Sequence, residues 1–190
     1  MNHHTLLRGI LYPAVILITA SLLILSCAAH RHAAAPPVRM EELTDRLGID
    51  VTGTDNAALY RVVAQWLGTP HRMGRSICGV GTDCSGFVTA VYREVYGKAL
   101  ERSSGDILAR NCRRIARRHL REGDLVFFHN GARRAKRRRI SHVGIYLKDG
   151  LFAHTSTSRG VVISSLDEAY YSRHWVARAD ALKTAFSVLL

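Results

Sequence analysis

The chain has 190 residues, room for one domain and a tail. With 47% hydrophobic and 22% charged residues it is neither wholly disordered nor a multi-span membrane protein. The net charge is +12, but residues 110–139 alone hold twelve basic side chains against Glu122 and Asp124, so the excess is one basic segment in a near-neutral protein. Four unevenly spaced cysteines with no C-x-x-C pair exclude a disulfide scaffold, a zinc ribbon and thioredoxin-type chemistry.

Arg8 precedes an apolar stretch from Gly9 to Ser26 that stops at Cys27. A positive flank followed by an apolar run and small residues reads as a secretory signal. Ile24-Leu25-Ser26-Cys27 resembles the lipobox at which bacterial lipoproteins are acylated on cysteine and cut before it, although Leu25 is bulkier than the usual residue. The same residues also fit an uncleaved anchor, being close to the roughly 18–20 that span a bilayer, or plain secretion. The lipobox reading makes residues 1–27 a signal peptide and Cys27 the lipidated residue. Ala28, rather than Asp, then implies the outer membrane of a Gram-negative bacterium, facing the periplasm, by resemblance to lipoprotein sorting. Residues 28–51, with Pro36-Pro37 and a helical turn or two over Met40–Leu47, read as a tether. The folded domain is expected over 52–180, with a tail at 181–190.

Thr54 or Asp55 can cap a helix in which Leu59, Val62, Val63, Trp66 and Leu67 recur at helical spacing, closed by Gly68 and Pro70. Residues 71–82 read as a loop. Asp83 reads as the N-cap of a second helix bearing Phe87, Val88, Val91, Tyr92 and Val95, ended by Gly97. A third covers Ser104–Arg110, with Asn111 as a left-handed terminator. Beyond it the period changes. Residues 124–129, 141–147, 151–154 and 161–164 read as strands, followed by a brief helix at 166–171 and an edge strand at 175–179. Helices first and an antiparallel meander second make an α+β domain.

Cys84 falls in the first turn of the second helix, where free backbone amides and the helix dipole favour a thiolate and are expected to lower its pKa. A thiol nucleophile needs a base, and the base needs an orienting partner. His142 opens one predicted strand and His154 closes the next, with Lys148-Asp149-Gly150 as the turn between them. An antiparallel hairpin brings the start of the first strand beside the end of the second, making the two imidazoles neighbours. Cys84, His142 and His154 then form nucleophile, base and orienter.

Three blocks, Asp83-Cys84-Ser85-Gly86-Phe87-Val88, Gly123-Asp124-Leu125-Val126-Phe127-Phe128, and His142-Val143-Gly144-Ile145-Tyr146 with Phe152-Ala153-His154-Thr155-Ser156, resemble the NlpC-type cell-wall cysteine peptidases in content and order. Ser165 to Tyr170 is similar to the tail of lipoprotein members. The resemblance implies a papain-like fold, with helices packed on a small antiparallel sheet. It implies hydrolysis of γ-D-glutamyl–diaminopimelate or D-alanyl–diaminopimelate bonds in peptidoglycan through a cysteine acyl-enzyme, without metal or cofactor. The partners implied are peptidoglycan and, through the lipid, a membrane; the chain is expected to be a monomer. One departure stands out: His71 occupies the place of the family's loop tyrosine and Arg75 that of a glycine. His71 is therefore a candidate oxyanion or substrate contact, with Ser85 as a second. A non-catalytic wall-binding lipoprotein and an acyltransferase or amidase using the same thiol are the competing readings.

Cys78 and Cys112 remain. They could pair in an oxidising periplasm or stay separate thiols. The basic run Gly131–Arg139 resembles a nucleic-acid arm in composition, but a secretory signal argues against nucleic acid. Anionic polymer, lipid headgroups or plain solvation are the remaining roles for it.

Overall fold

The structure is a computed structural model that describes residues 39–129 and 140–181; Cys27, the run 131–139 and the tail from 182 onward lie outside the described residues. Its first helix, α1 (Met40–Leu47), ends on Gly48 at φ 63°, a left-handed conformation that glycine adopts without strain. Leu43, Leu47, Ile49 and Val51 are all buried in the main core. The packed domain therefore begins at α1 rather than at Thr52, and part of the expected tether is core. The apolar positions of that segment are its helical face, hidden in sequence by the charged residues between them.

Helix α2 (Ala57–Trp66) is capped by Asn56, whose side chain accepts the Leu59 N–H, and not by Thr54 or Asp55. Asp55 instead accepts from the Thr52 amide and from Lys148 Nζ, each at 2.8 Å. Residues 71–82, expected as a loop, fold into a two-residue antiparallel hairpin, β1 (Ser76–Ile77) and β2 (Gly81–Thr82), with His71 bridged to Thr82. Helix α3 (Cys84–Tyr96) has the expected Asp83 cap and Gly97 terminus. The predicted third helix is a single turn, α4 (Ser104–Asp106), continued by a wider π turn over Ile107–Asn111. Asn111 does not turn left-handed; its side chain accepts the Glu101 N–H at 2.7 Å.

The remaining strands are β3 (Arg113–Arg114), β4 (Leu125–His129), β5 (Ile140–Tyr146), β6 (Leu151–Ser156), β7 (Gly160–Ser165) and β8 (Trp175–Asp180), with helix α5 (Ala169–His174) before β8. They form one six-stranded antiparallel sheet in the order β3-β8-β4-β5-β6-β7. Strand β8, expected at an edge, is interior because the short β3 pairs outside it.

Alternation along the strands gives the sheet two buried faces. Leu125, Phe127, Val143, Ile145 and Ala153 belong to the core shared with α1, α2 and α3. Val126, Phe128 and Phe152 face the other way and pack with Leu166 and with Tyr171 of α5. The architecture is α+β, with helices on an antiparallel sheet, as expected.

Candidate active site

Asp83 fixes the start of α3. One carboxylate oxygen accepts the Gly86 N–H at 2.7 Å, the other the Gly74 N–H at 2.7 Å, and the Arg102 guanidinium grips both at 2.9 and 2.6 Å. Arg102 also donates to Ser85 Oγ at 2.8 Å, and Ser85 lies 3.2 Å from Asp83 Oδ1. Ser85 is thus buried and committed to this network, and not free to meet substrate. Burial alone would push the Asp83 carboxyl up, but Arg102 and the two amides outweigh it and hold it below the usual range. Gly86 is required here, because a Cβ would lie 2.3 Å from the Arg75 carbonyl.

The cap delivers Cys84 to the edge of β5. Its Sγ is 4.0 Å from the Ser141 carbonyl and faces the backbone N–H of Val143, the two residues that flank His142 in β5. The register that sets Ile145 opposite Ala153 places His142 and His154 on one face of neighbouring strands. His142 Nε2 and His154 Nδ1 are 3.0 Å apart, with the rings nearly perpendicular at 83°. The hairpin expectation holds. Gly144 provides the room: a Cβ there would meet Phe152, the Ala153 carbonyl and the His154 Cβ at 2.7, 2.8 and 3.1 Å.

Cys84, His142, His154 and His71 line one cavity of about 1030 Å³, with Arg102 and Tyr170 at its walls. Tyr170 and Met73, also lining it, are 57% and 81% exposed, so the cavity opens as a groove. Among the described residues, no group of three or more His, Cys, Asp or Glu is placed to hold a metal ion.

The electrostatics correct one expectation. Burial pushes the Cys84 thiol up, the Val143 amide pulls against it, and the Asp83 charge adds to the rise. The helix-start amides therefore do not lower this thiol below the ordinary value, because removal from water costs the anion more than they return. Burial lowers His142 to about 4, helped by charge on His71, and lowers His154 to about 3. The resting site is a neutral thiol beside two neutral imidazoles. With Nε2 of His142 engaged by His154, Nδ1 is the nitrogen left for the sulfur proton. That arrangement suits a thiol activated by proton transfer as it attacks.

The NlpC/P60 family description matches residues 66–179, most of the described domain and more than half of the chain. This chain belongs to the NlpC/P60 family. It is 38% identical over 165 residues to the Probable endopeptidase NlpC of Escherichia coli (strain K12), covering 86% of this chain and 96% of that protein. It is 40% identical over 112 residues to Murein DD-endopeptidase MepS/Murein LD-carboxypeptidase of the same strain, covering 59% of this chain and 55% of that protein. The chain thus spans little more than half the length of that relative. A crystal structure of an NlpC/P60 family protein from Bacillus cereus ATCC 10987 superposes with a TM-score of 0.59 at 28% identity, over 70% of this chain and 42% of that one.

Cys78 and Cys112 do not pair. Cys78 is exposed beside the β1–β2 hairpin, with its Sγ 3.3 Å from the Gln65 carbonyl, whereas Cys112 packs against the core and burial raises its thiol to about 12. Three site residues have no signature in sequence: Arg102, Ser164 and Tyr171. Arg102 is a lone arginine after the second helix, and the other two reach His154 only through the order of β6, β7 and α5.

Proposed function

We propose that this chain is a cysteine peptidase that hydrolyses stem peptides of peptidoglycan, at γ-D-glutamyl–diaminopimelate or D-alanyl–diaminopimelate bonds. The observation that carries the reading is the contact of His142 with His154 beside Cys84 in an open groove. Family membership and the murein endopeptidase named among its relatives support the substrate class.

As Cys84 attacks the scissile carbonyl carbon, its Sγ–H proton passes to His142 Nδ1 and a C–S bond forms. The oxyanion meets the Cys84 N–H at the start of α3 and, in our reading, the His71 imidazole that stands where relatives of this type carry tyrosine. The tetrahedral intermediate collapses with cleavage of C–N, and His142 gives its proton to the leaving amine. Water, deprotonated by His142, then hydrolyses the thioester and releases the new carboxylate and the thiol.

We further propose that Cys27 carries acyl chains holding the domain at the outer membrane, facing the periplasm, where its substrate lies. The leader sequence supports this. Two or more chains are what stable anchoring requires.

Digestion of purified sacculi, with fragments identified by mass, tests the function. New amine termini on stem peptides, absent with Cys84→Ala, are expected. Binding to sacculi without any cleavage would instead favour a wall-binding protein.

A further inference from the structure

His154 is 1% exposed, and its two ring nitrogens have different partners. Nδ1 meets His142, while Nε2 lies 3.2 Å from Ser164 Oγ and 3.0 Å from Tyr171 Oη. Both hydroxyl-bearing residues are themselves buried, at 4% and 8% exposure. The Tyr171 ring is fixed by edge contacts to Phe128 at 5.3 Å and Phe152 at 4.9 Å, so its hydroxyl cannot swing away without breaking the aromatic cluster. A phenylalanine would make the same ring contacts; only the hydroxyl reaches Nε2.

For His142 to receive the Cys84 proton on Nδ1, its Nε2 must carry hydrogen and donate to His154 Nδ1. His154 must then carry its own hydrogen on Nε2, facing the two hydroxyl oxygens. The alternative tautomer, with hydrogen on His154 Nδ1, would turn His142 around electronically and leave hydrogen on the nitrogen that has to act as base.

We propose that Ser164 and Tyr171 are positioning residues that extend the chain Cys84–His142–His154 by one link: their hydroxyls receive the His154 Nε2–H, select the productive tautomer and strengthen His142 as a base. The inference rests on the hydrolase reading for its use in turnover, but the geometry concerns His154 alone. When the sulfur proton reaches His142, no further proton leaves the chain. The positive charge is shared through the His142 Nε2–H and the His154 Nε2–H onto the two oxygens, which matters because His154, Ser164 and Tyr171 are themselves buried from water.

The test uses the full chain with nitrogen-15-labelled histidine, as wild type, Tyr171→Phe, Ser164→Ala and the double variant. Removing the hydroxyls removes stabilisation of protonated His142, so its titration midpoint should fall, by about 0.5–1 pH unit in the double variant. Tyr171→Phe, which keeps the packing ring, should show part of the shift by itself. In turnover, kcat should drop about three- to tenfold in the double variant with KM unchanged, and the acid limb of the rate profile should move to lower pH. A midpoint unmoved in the folded Tyr171→Phe and Ser164→Ala variants would overturn the inference. The titration reads the relay whether or not the chain cleaves peptide: an inactive wild type would count against the hydrolase reading, whereas an active wild type with an unmoved midpoint would count against the relay alone.

Discussion

His142 Nε2 lies 3.0 Å from His154 Nδ1, and this one contact decides which nitrogen of His142 can serve Cys84. Two adjacent strands supply it, so the base is held by sheet register and not by a loop. The same register requires Gly144 between them, and the sulfur is brought to it by a helix whose first turn Asp83 and Arg102 lock in place.

Removing the orienting ring should slow chemistry and spare binding. His154→Ala is expected to lower kcat by about 10²-fold with KM little changed, because His142 would lose its tautomer and its fixed plane. His154→Asn, which retains an acceptor, should lose less. Steady-state kinetics on a defined stem peptide compares them.

The resting thiol should behave as a thiol. Burial raises Cys84 and lowers His142 to about 4, so no thiolate–imidazolium pair dominates near neutral pH. Alkylation mapped to Cys84 is expected to keep accelerating as pH rises through 9. A plateau reached below pH 7 would mean that the ion pair forms in the free protein.

Stability should fall on the acid side. Folded His142 and His154 titrate near 4 and 3, below the unfolded value of 6.5, so the unfolded chain binds more protons throughout that window. Their neutral burial is fully tolerated above about pH 6.5, and stability is lost as pH drops from there through the folded values. Thermal melts between pH 7 and 3 should show the decline, and His154→Gln should make it shallower across that whole range.

Gly144→Ala should damage fold and site together. A Cβ at 2.7 Å from the Phe152 ring and 2.8 Å from the Ala153 carbonyl must push β6 away from β5, at the residue that faces His154. Overpacking of this kind costs about 1–3 kcal/mol, a fall of several degrees in Tm for a domain of this size. Activity should decline further than the folded fraction does, because the shift separates the two imidazoles.

Much of this was legible in the sequence because it depends on local rules. Asp83 before an apolar helical stripe gives the cap and places Cys84, and two strands around a Lys-Asp-Gly turn give the histidine contact. Other parts depend on the folded surroundings. The helix-start position of Cys84 suggested a lowered thiol, but the depth of the groove and the neighbouring Asp83 reverse the direction. The core role of α1 was hidden because Leu43 and Leu47, with Met40 before them, stand among Glu41, Glu42, Asp45 and Arg46, and the surface they pack on is α2, an element later in the chain. The position of β8 inside the sheet follows from a two-residue partner, Arg113–Arg114, too short to carry a periodic signal. Tyr171 and Ser164 converge on His154 from different elements, which no spacing rule anticipates.

In the proposed mechanism Cys84 is a nucleophile that His142 activates. A stem-dipeptide chloromethyl ketone, reacted with the full chain and located by peptide mapping, tests it most directly. An adduct is expected on Cys84 ahead of the exposed Cys78, with labelling of Cys84 abolished by His142→Ala. Equal labelling of Cys78, or a Cys84 rate indifferent to the loss of His142, would contradict it.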